Sequence, residues 1–310
     1  MRFKNFKTTE LHFLLALLET NLLFNAGKVI CQTFPNIAEL FALSATDLKE
    51  FGLSLTEISK LKAPNWHKKV EQSLYWAQQP DNHIITIKDP SYPVLLKEIP
   101  NPPILLFVSG DLQLLQAPQI AIVGSRNPTT SGLTTATIFA QELAQAGLVI
   151  TSGFAVGIDA AGHKGAIAAA QKTIAVMGTG LQQLYPAQHK NLAQEILDAG
   201  GVLLAEFPLA SKGKAWHFPL RNRIISGLSI GTLVIEAAIR SGSLITARLA
   251  SEQGREVFAV PGSIYNPVAH GCHYLLSQGA KLVTQSVDVL EELPGFLNLE
   301  YACRKKHQKK

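Results

Sequence analysis

Ile120-Ala121-Ile122-Val123-Gly124-Ser125-Arg126-Asn127-Pro128-Thr129-Thr130 is the stretch on which the fold turns. Four apolar residues ending at a glycine read as a short buried strand, and from Thr130 the apolar spacing changes to a helical period. The same unit recurs along the chain: apolar runs at 148–151, 173–177, 202–205, 231–235, 257–260 and 281–283 alternate with helical segments. Short continuous apolar runs between helices predict parallel strands covered on both faces, and right-handed crossovers wind them into a doubly wound sheet. Two further β-rich runs, 84–87 and 104–108, come before it and are joined by the proline-punctuated stretch 89–103. Earlier still the texture differs. Residues 8–80 show no strand alternation and read as short helices separated by Gly27, Pro35, Gly52 and Pro64. The expected architecture is α/β: an extended Rossmann-like, mostly parallel doubly wound sheet over 81–295, preceded by a small all-helical domain over 1–80 and followed by a basic tail over 296–310.

Of the 310 residues, 47% are hydrophobic and 16% charged, against a usual charged share of about a quarter, so the chain can bury a large core. The net charge is +5, and most of the excess lies in Arg304-Lys305-Lys306-His307-Gln308-Lys309-Lys310. Net charge by itself is therefore weak support for a nucleic-acid partner. Cys31, Cys272 and Cys303 have neither CxxC spacing nor an even count, which argues against a zinc site or a disulfide framework. No apolar run reaches the roughly 18 residues that span a bilayer; the leucine-rich run 11–18 is broken by His12 and followed by Glu19. These features predict a cytoplasmic chain with no membrane partner, no metal and no cofactor.

In a doubly wound sheet, ligands bind beyond the carboxyl ends of the strands. Here those ends carry Gly124-Ser125-Arg126, Ser152-Gly153 and Gly178-Thr179-Gly180. Glycines let a backbone approach a ligand closely, and the helix N-termini that follow favour anions. A dinucleotide site needs G-x-G-x-x-G after the first strand and an acid ending the second; this chain has Ser125-Arg126-Asn127-Pro128 after Gly124, and its second strand ends at Thr151-Ser152. It also lacks the P-loop pattern. Between Glu206 and Glu236 there is no acidic residue, while Lys212, Lys214, Arg221 and Arg223 interleave with Trp216, His217 and Phe218. Two readings fit that window equally. Cations along a phosphate path, with a ring that stacks on an unpaired base, suit single-stranded DNA. Alternatively, Trp216 and Phe218 anchor the core and the cations form a solvated face.

Longer blocks are more specific. They are Ile122-Val123-Gly124-Ser125-Arg126, Ser152-Gly153-Phe154-Ala155-Val156-Gly157-Ile158-Asp159-Ala160-Ala161-Gly162-His163 and Phe218-Pro219-Leu220-Arg221-Asn222-Arg223-Ile224-Ile225-Ser226-Gly227-Leu228, then Glu236-Ala237, Ser241-Gly242-Ser243-Leu244-Ile245-Thr246-Ala247 and Phe258-Ala259-Val260-Pro261-Gly262. In that order they closely resemble the DNA-processing protein A family (DprA or Smf), from residue 120 to about 282. The resemblance implies an extended Rossmann-like fold that forms a homodimer, binds and protects single-stranded DNA, and loads RecA recombinase during natural transformation. It implies that Arg126 holds phosphate, that Phe218 stacks on or wedges between bases, and that Arg221 and Arg223 bind backbone beside Asn222. Lys212 and Lys214 lie near where a family lysine contributes. Gly124, Ser125, Ser152, Gly153, Ser241 and Ser243 complete the expected DNA-binding set.

Three departures from the family pattern stand out. Val156 replaces a common arginine, Gly271-Cys272-His273 replaces the Gly-Thr-Asn or Gly-Ser-Asn that follows the Pro-Gly loop, and the winged-helix domain that many members append is expected to be absent. The helical domain is expected to be of SAM or helix-hairpin-helix type, serving chiefly in packing or docking.

Asp159 and His163 lie four apart on one helix face and invite an acid/base reading. Without a nucleophile or metal cluster beside them, they are expected to position the glycine loop, with Asp159 at a helix N-terminus and His163 hydrogen-bonded to it. Glu236 is expected to be a positioning residue of the same kind, and no catalytic residue is expected. One alternative is a nucleotide-binding or nucleotide N-glycosidic-bond-hydrolysing Rossmann-like enzyme, echoed by Gly231-Thr232 and Glu236 but lacking that group's Pro-Gly-Gly. Another is a protein-interaction scaffold whose basic window meets an acidic partner.

Overall fold

The computed structural model describes residues 10–293, so the basic tail and Cys303 lie outside the described residues. Six helices come first: α1 (Glu10–Glu19), α2 (Leu22–Thr33), α3 (Ala38–Ala42), α4 (Ala45–Glu50), α5 (Leu55–Lys62) and α6 (Trp66–Trp76). Local chemistry sets two of their starts. Ser44 with Asp47 and Ser54 with Glu57 form reciprocal capping boxes at α4 and α5, each satisfying helix N–H groups that have no partner inside the helix. The rest of the chain alternates: β1 (Asn82–Thr86), α7 (Val94–Lys97), β2 (Leu105–Gly110), β3 (Gln119–Gly124), α8 (Thr130–Gln145), β4 (Val149–Ser152), α9 (Ile158–Ala168), β5 (Thr173–Met177), α10 (Lys190–Asp198), β6 (Val202–Ala205), α11 (His217–Leu228), β7 (Gly231–Ile235), α12 (Gly242–Glu252), β8 (Glu256–Ala259), α13 (His270–Ser277), β9 (Lys281–Leu282) and α14 (Ser286–Glu291).

The strands form one sheet in the order β1-β2-β6-β5-β4-β3-β7-β8-β9. From β3 the chain winds outward through β4, β5 and β6, then returns past β3 to lay down β7, β8 and β9. Those strands pair in parallel, whereas β1 with β2 and β2 with β6 are antiparallel. This is the expected mostly parallel, doubly wound α/β sheet, extended on one side by two antiparallel strands. The reversal of winding places a crevice beyond the carboxyl ends of β3 and β7, whose register runs from Ile120 opposite Gly231 to Gly124 opposite Ile235. Ligands of such sheets sit at that switch point.

β3 is buried on both faces. Ala121 and Val123 pack with Ile174 and Val176 of β5 and with Ile224, Ile225 and Leu228 of α11. Ile120 and Ile122 pack with Phe139 and Leu143 of α8 and Ile158 of α9. Two-sided cover is the reason these strands read as continuous apolar runs instead of alternating ones. β2 divides its residues in the same way: Leu106 and Val108 join the α11 face, while Leu105 and Phe107 face the helical region. There they form one cluster with Leu14, Leu17, Leu22, Ile30, Leu61, Val70 and Leu209. Trp76 meets Phe107 edge-on at 5.8 Å, and Phe24 meets Phe207 at 5.4 Å, so the helices are seated on the sheet. A cavity of about 760 Å³ remains at that junction, lined from α11 by Leu220 and Arg223 and not by Phe218. No described helix is long and apolar enough to cross a membrane.

Candidate nucleic-acid interface

At the switch point a carboxylate of the protein reaches across to the start of a helix. Glu236 follows β7 in a left-handed backbone conformation, φ 52°, and its side chain reaches the start of α8. Oε2 accepts from the Thr129 amide at 2.8 Å and Oε1 from the Thr129 hydroxyl at 2.5 Å; Thr129 Oγ1 in turn accepts from the Gly132 amide at 3.0 Å. A Cβ on residue 132 would come within 2.5 Å of that carboxylate, which is why glycine stands there. A carboxylate thus stands beside the helix start that receives a pyrophosphate in dinucleotide folds, in keeping with the missing G-x-G-x-x-G.

The loops beside it face outward. Gly157 has φ 83°, and a Cβ there would fall 2.3 Å from the Ser125 carbonyl, which accepts from the Ile158 amide at 3.1 Å. This close approach ties the start of α9 to the Gly124-Ser125-Arg126 loop, whose Ser125 Oγ also accepts from the Asn127 amide, and Arg126 is left exposed. The Arg126 guanidinium carbon lies 5.8 Å from the ring centre of Phe218, which is half-buried in the first turn of α11. The Phe218 ring lies against Gly178, where a Cβ would meet it at 2.7 Å, and close to Gly213. Tyr185, 56% exposed, stands 5.6 Å away, ring centre to ring centre. Lys212 and Lys214 are exposed, and the Lys214 ammonium lies 5.9 Å from the Trp216 ring. Arg126, Lys212 and Lys214 make no ion pair among the described residues. Phe218 and Tyr185 thus stand beside Arg126, and the exposed Lys212 and Lys214 flank Gly213, which lies close to the Phe218 ring.

The two rings of the basic window divide their roles. Trp216 leans edge-on against Phe24 at 5.7 Å and Phe207 at 5.9 Å, so it is partly a core anchor. Phe218 keeps its contacts with Arg126 and Tyr185. Between them His217 is buried, stacked on Phe207 at 3.9 Å, and donates from Nδ1 to the Gly178 carbonyl at 3.1 Å; burial is the main cause of its lowered pKa.

Several expected site residues turn inward. Arg221 is buried and donates from Nη1 to the carbonyls of Gly153 and Val176. Its guanidinium and the Asp159 carboxylate both lie against Gly153. Burial lowers the Arg221 pKa to about 10, opposed by Asp159. Burial raises that of Asp159, opposed chiefly by Arg221. Arg223 pairs with Glu206 through two hydrogen bonds, Nη2–Oε1 at 2.5 Å and Nη1–Oε2 at 2.9 Å, with both side chains almost wholly buried. Neither arginine is presented to a DNA backbone as expected, because each has its charge met inside the fold.

Asn222 donates to the Gly242 carbonyl at 3.2 Å, which joins α11 to the start of α12. There the Ser241 hydroxyl caps the helix through the Ser243 amide and lies 2.6 Å from the Ser243 hydroxyl. Ser152 donates to the Ile122 carbonyl at 2.5 Å and is internal to the sheet. His163 does not bond Asp159. Its Nδ1 donates to Thr173 Oγ1 at 2.7 Å, since that hydroxyl gives its own proton to the Ile150 carbonyl. Asp159 Oδ2 instead accepts from the Ala155 amide at 3.2 Å. One helical face thus serves two different neighbours. Burial, reinforced by His189 and Arg221, lowers the His163 pKa to about 3. Tyr185 was not singled out from the sequence; its only local signal is an aromatic residue beside Pro186 in the loop after β5.

The family model for DNA recombination-mediator protein A matches residues 83–294. Protein Smf of Escherichia coli is 46% identical over 258 residues, 83% of this chain and 68% of that protein. DNA processing protein DprA of Bacillus subtilis is 43% identical over 236 residues, 76% of this chain and 79% of that protein. The solved structure of DNA processing protein A from Streptococcus pneumoniae, 36% identical, covers 93% of this chain and 99% of its own with a TM-score of 0.70. That of Helicobacter pylori, described for its single-stranded DNA binding mode, is 29% identical and covers 70% of this chain and 98% of its own with a TM-score of 0.62. The matched span includes every strand of the parallel sheet and every loop of the candidate interface, and the chain belongs to the DNA recombination-mediator protein A family.

Proposed function

We propose that this chain binds single-stranded DNA along the strip formed by Arg126, Tyr185, Lys212, Lys214 and Phe218. It protects the strand and loads RecA recombinase onto it during natural transformation, acting as a cytoplasmic homodimer that catalyses no reaction of its own. The observation that carries the reading is the half-buried Phe218 ring, flanked by Tyr185 and by the unpaired Arg126 guanidinium. An aromatic ring stacks on an unpaired base for about 1–3 kcal/mol, and cations beside it hold the phosphates. Names of relatives support the same reading: those from Bacillus subtilis and Streptococcus pneumoniae are DNA processing proteins, and the Helicobacter pylori structure is described by its single-stranded DNA binding. The nucleotide-hydrolase alternative is disfavoured, because both oxygens of Glu236 are engaged at Thr129 and Asp159 and His163 face different partners.

Fluorescence-anisotropy titration with single- and double-stranded oligonucleotides at two salt concentrations tests the proposal. Single strands should bind more tightly than duplex, which hides its base faces, and the affinity should fall as salt rises. Equal or tighter binding of duplex would overturn the stacking role and leave a non-specific basic surface.

A further inference from the structure

A second, polar pocket of about 280 Å³ opens between the helical region and the strand-end loops, lined among others by Glu19, Lys69, Gln72, Gln182, Ser211 and Lys214. Its volume is near the lower end of the roughly 300–1,000 Å³ of small-molecule sites. It adjoins the strip already described. The loop over residues 208–214 is pinned across the β5 end, with the Gly180 amide donating to the Ser211 carbonyl at 2.9 Å and the Gln182 amide to the Leu209 carbonyl at 3.0 Å. Gly213 of that loop lies against Phe218, and the next residue, Lys214, lines the pocket. We propose that this pocket receives a second unpaired base of the strand bound at Phe218, so that α1 and α6 take part in holding DNA. The proposal rests on the single-strand reading of the interface.

The donor and acceptor set specifies the ligand. Gln72 and Gln182 are exposed, and their side chains make no hydrogen bond among the described residues; each amide offers both donors and an acceptor. Glu19, with a side chain 10% exposed, gives one oxygen to Lys69 at 3.2 Å, and its other oxygen has no hydrogen-bond partner among the described residues. A carboxylate accepts only and repels phosphate, so what enters beside it is a base edge that carries an exocyclic amine. The phosphates stay at the rim, where Lys214 is exposed and Lys69, 58% exposed, is the partner of Glu19. Cytosine, adenine and guanine carry that amine; thymine does not.

The test uses the full chain and compares oligo-dC with oligo-dT of equal length by anisotropy. Glu19→Gln should reduce the preference for dC relative to dT by about tenfold, the discrimination of one well-made base contact. Gln72→Ala combined with Gln182→Ala, both on the surface, should weaken dC binding by a similar factor with an unchanged melting temperature. This pair carries the test should Glu19→Gln fail to fold. Phe218→Ala is the control that separates the two ideas. If the unmodified protein binds no single strand, or Phe218→Ala loses nothing, the interface reading itself fails. If Phe218→Ala loses affinity while the double glutamine variant binds dC as the unmodified protein does, the interface stands and the base pocket is overturned.

Discussion

Arg221 and Arg223 stand within twelve residues of Lys212 and Lys214 in one acid-free window, yet the two pairs do opposite work. The lysines are exposed with no ion pair among the described residues. The arginines are buried, one held by two carbonyls and the other by Glu206. The inner pair joins α11 to the ends of β4, β5 and β6; the outer pair, with Arg126, faces solvent beside Phe218 and Trp216. Cations in a basic window are therefore not interchangeable. A buried guanidinium is retained only with its hydrogen bonds and countercharge in place, whereas an exposed ammonium remains available to a phosphate.

The sharpest way to break this contrast is to remove an inner charge. Arg223→Ala leaves Glu206 buried without its partner and should cost about 3–5 kcal/mol of folding stability, read by urea unfolding, while the salt dependence of DNA binding by the folded fraction stays as it was. An Arg223→Ala protein that unfolds like the parent but binds DNA with a shallower salt slope would move Arg223 to the outer set.

A second inner group sharpens the contrast through pH. The folded pKa of His163 is depressed to about 3 from an ordinary 6.5. Above pH 6.5 the imidazole is neutral in both states. As pH falls from there toward 3 the unfolded chain takes up the proton first, so stability is lost across that window, on the order of 2 kcal/mol by pH 5. His163→Gln should flatten this part of the pH profile. Parallel losses between pH 7 and pH 5 in variant and parent would show that other groups set the acid limit.

The outer residues should separate from one another by smaller effects on binding alone. Phe218→Ala should cost about 1–3 kcal/mol with single strands and much less with duplex, with the salt slope unchanged, because stacking carries no charge. Arg126→Ala should lower the single-strand salt slope by about 0.7, the value for one lost phosphate contact. Both variants should melt like the parent; a large drop in melting temperature for Phe218→Ala would instead make that ring part of the core.

Much of the scaffold is legible from pattern. The apolar runs at 173–177, 202–205 and 231–235 coincide with β5, β6 and β7, and α8 begins at Thr130 as read. β1, β2, β3, β4, β8 and β9 fall within a residue or two of their expected bounds. Tyr185 is a different matter, because no period marks a loop ring that meets Phe218 only when the β5 and β6 ends come together. The partner of His163 is likewise hidden: its spacing from Asp159 is right for a contact, but Thr173 of β5 lies closer to its Nδ1.

What the amino-acid order determined by itself is the succession of buried strands and helices and the glycine loops at the strand ends, since side-chain period and turn chemistry act over a few residues. What only the tertiary structure decided is the direction in which each charge points. Arg221 and Arg223 lie inward because Gly153, Val176 and Glu206, distant in sequence, supply their acceptors. Glu236 reaches Thr129 because β7 lies beside β3. Electrostatic partners are set by distance in space, and for these residues that distance exists only once the sheet has formed.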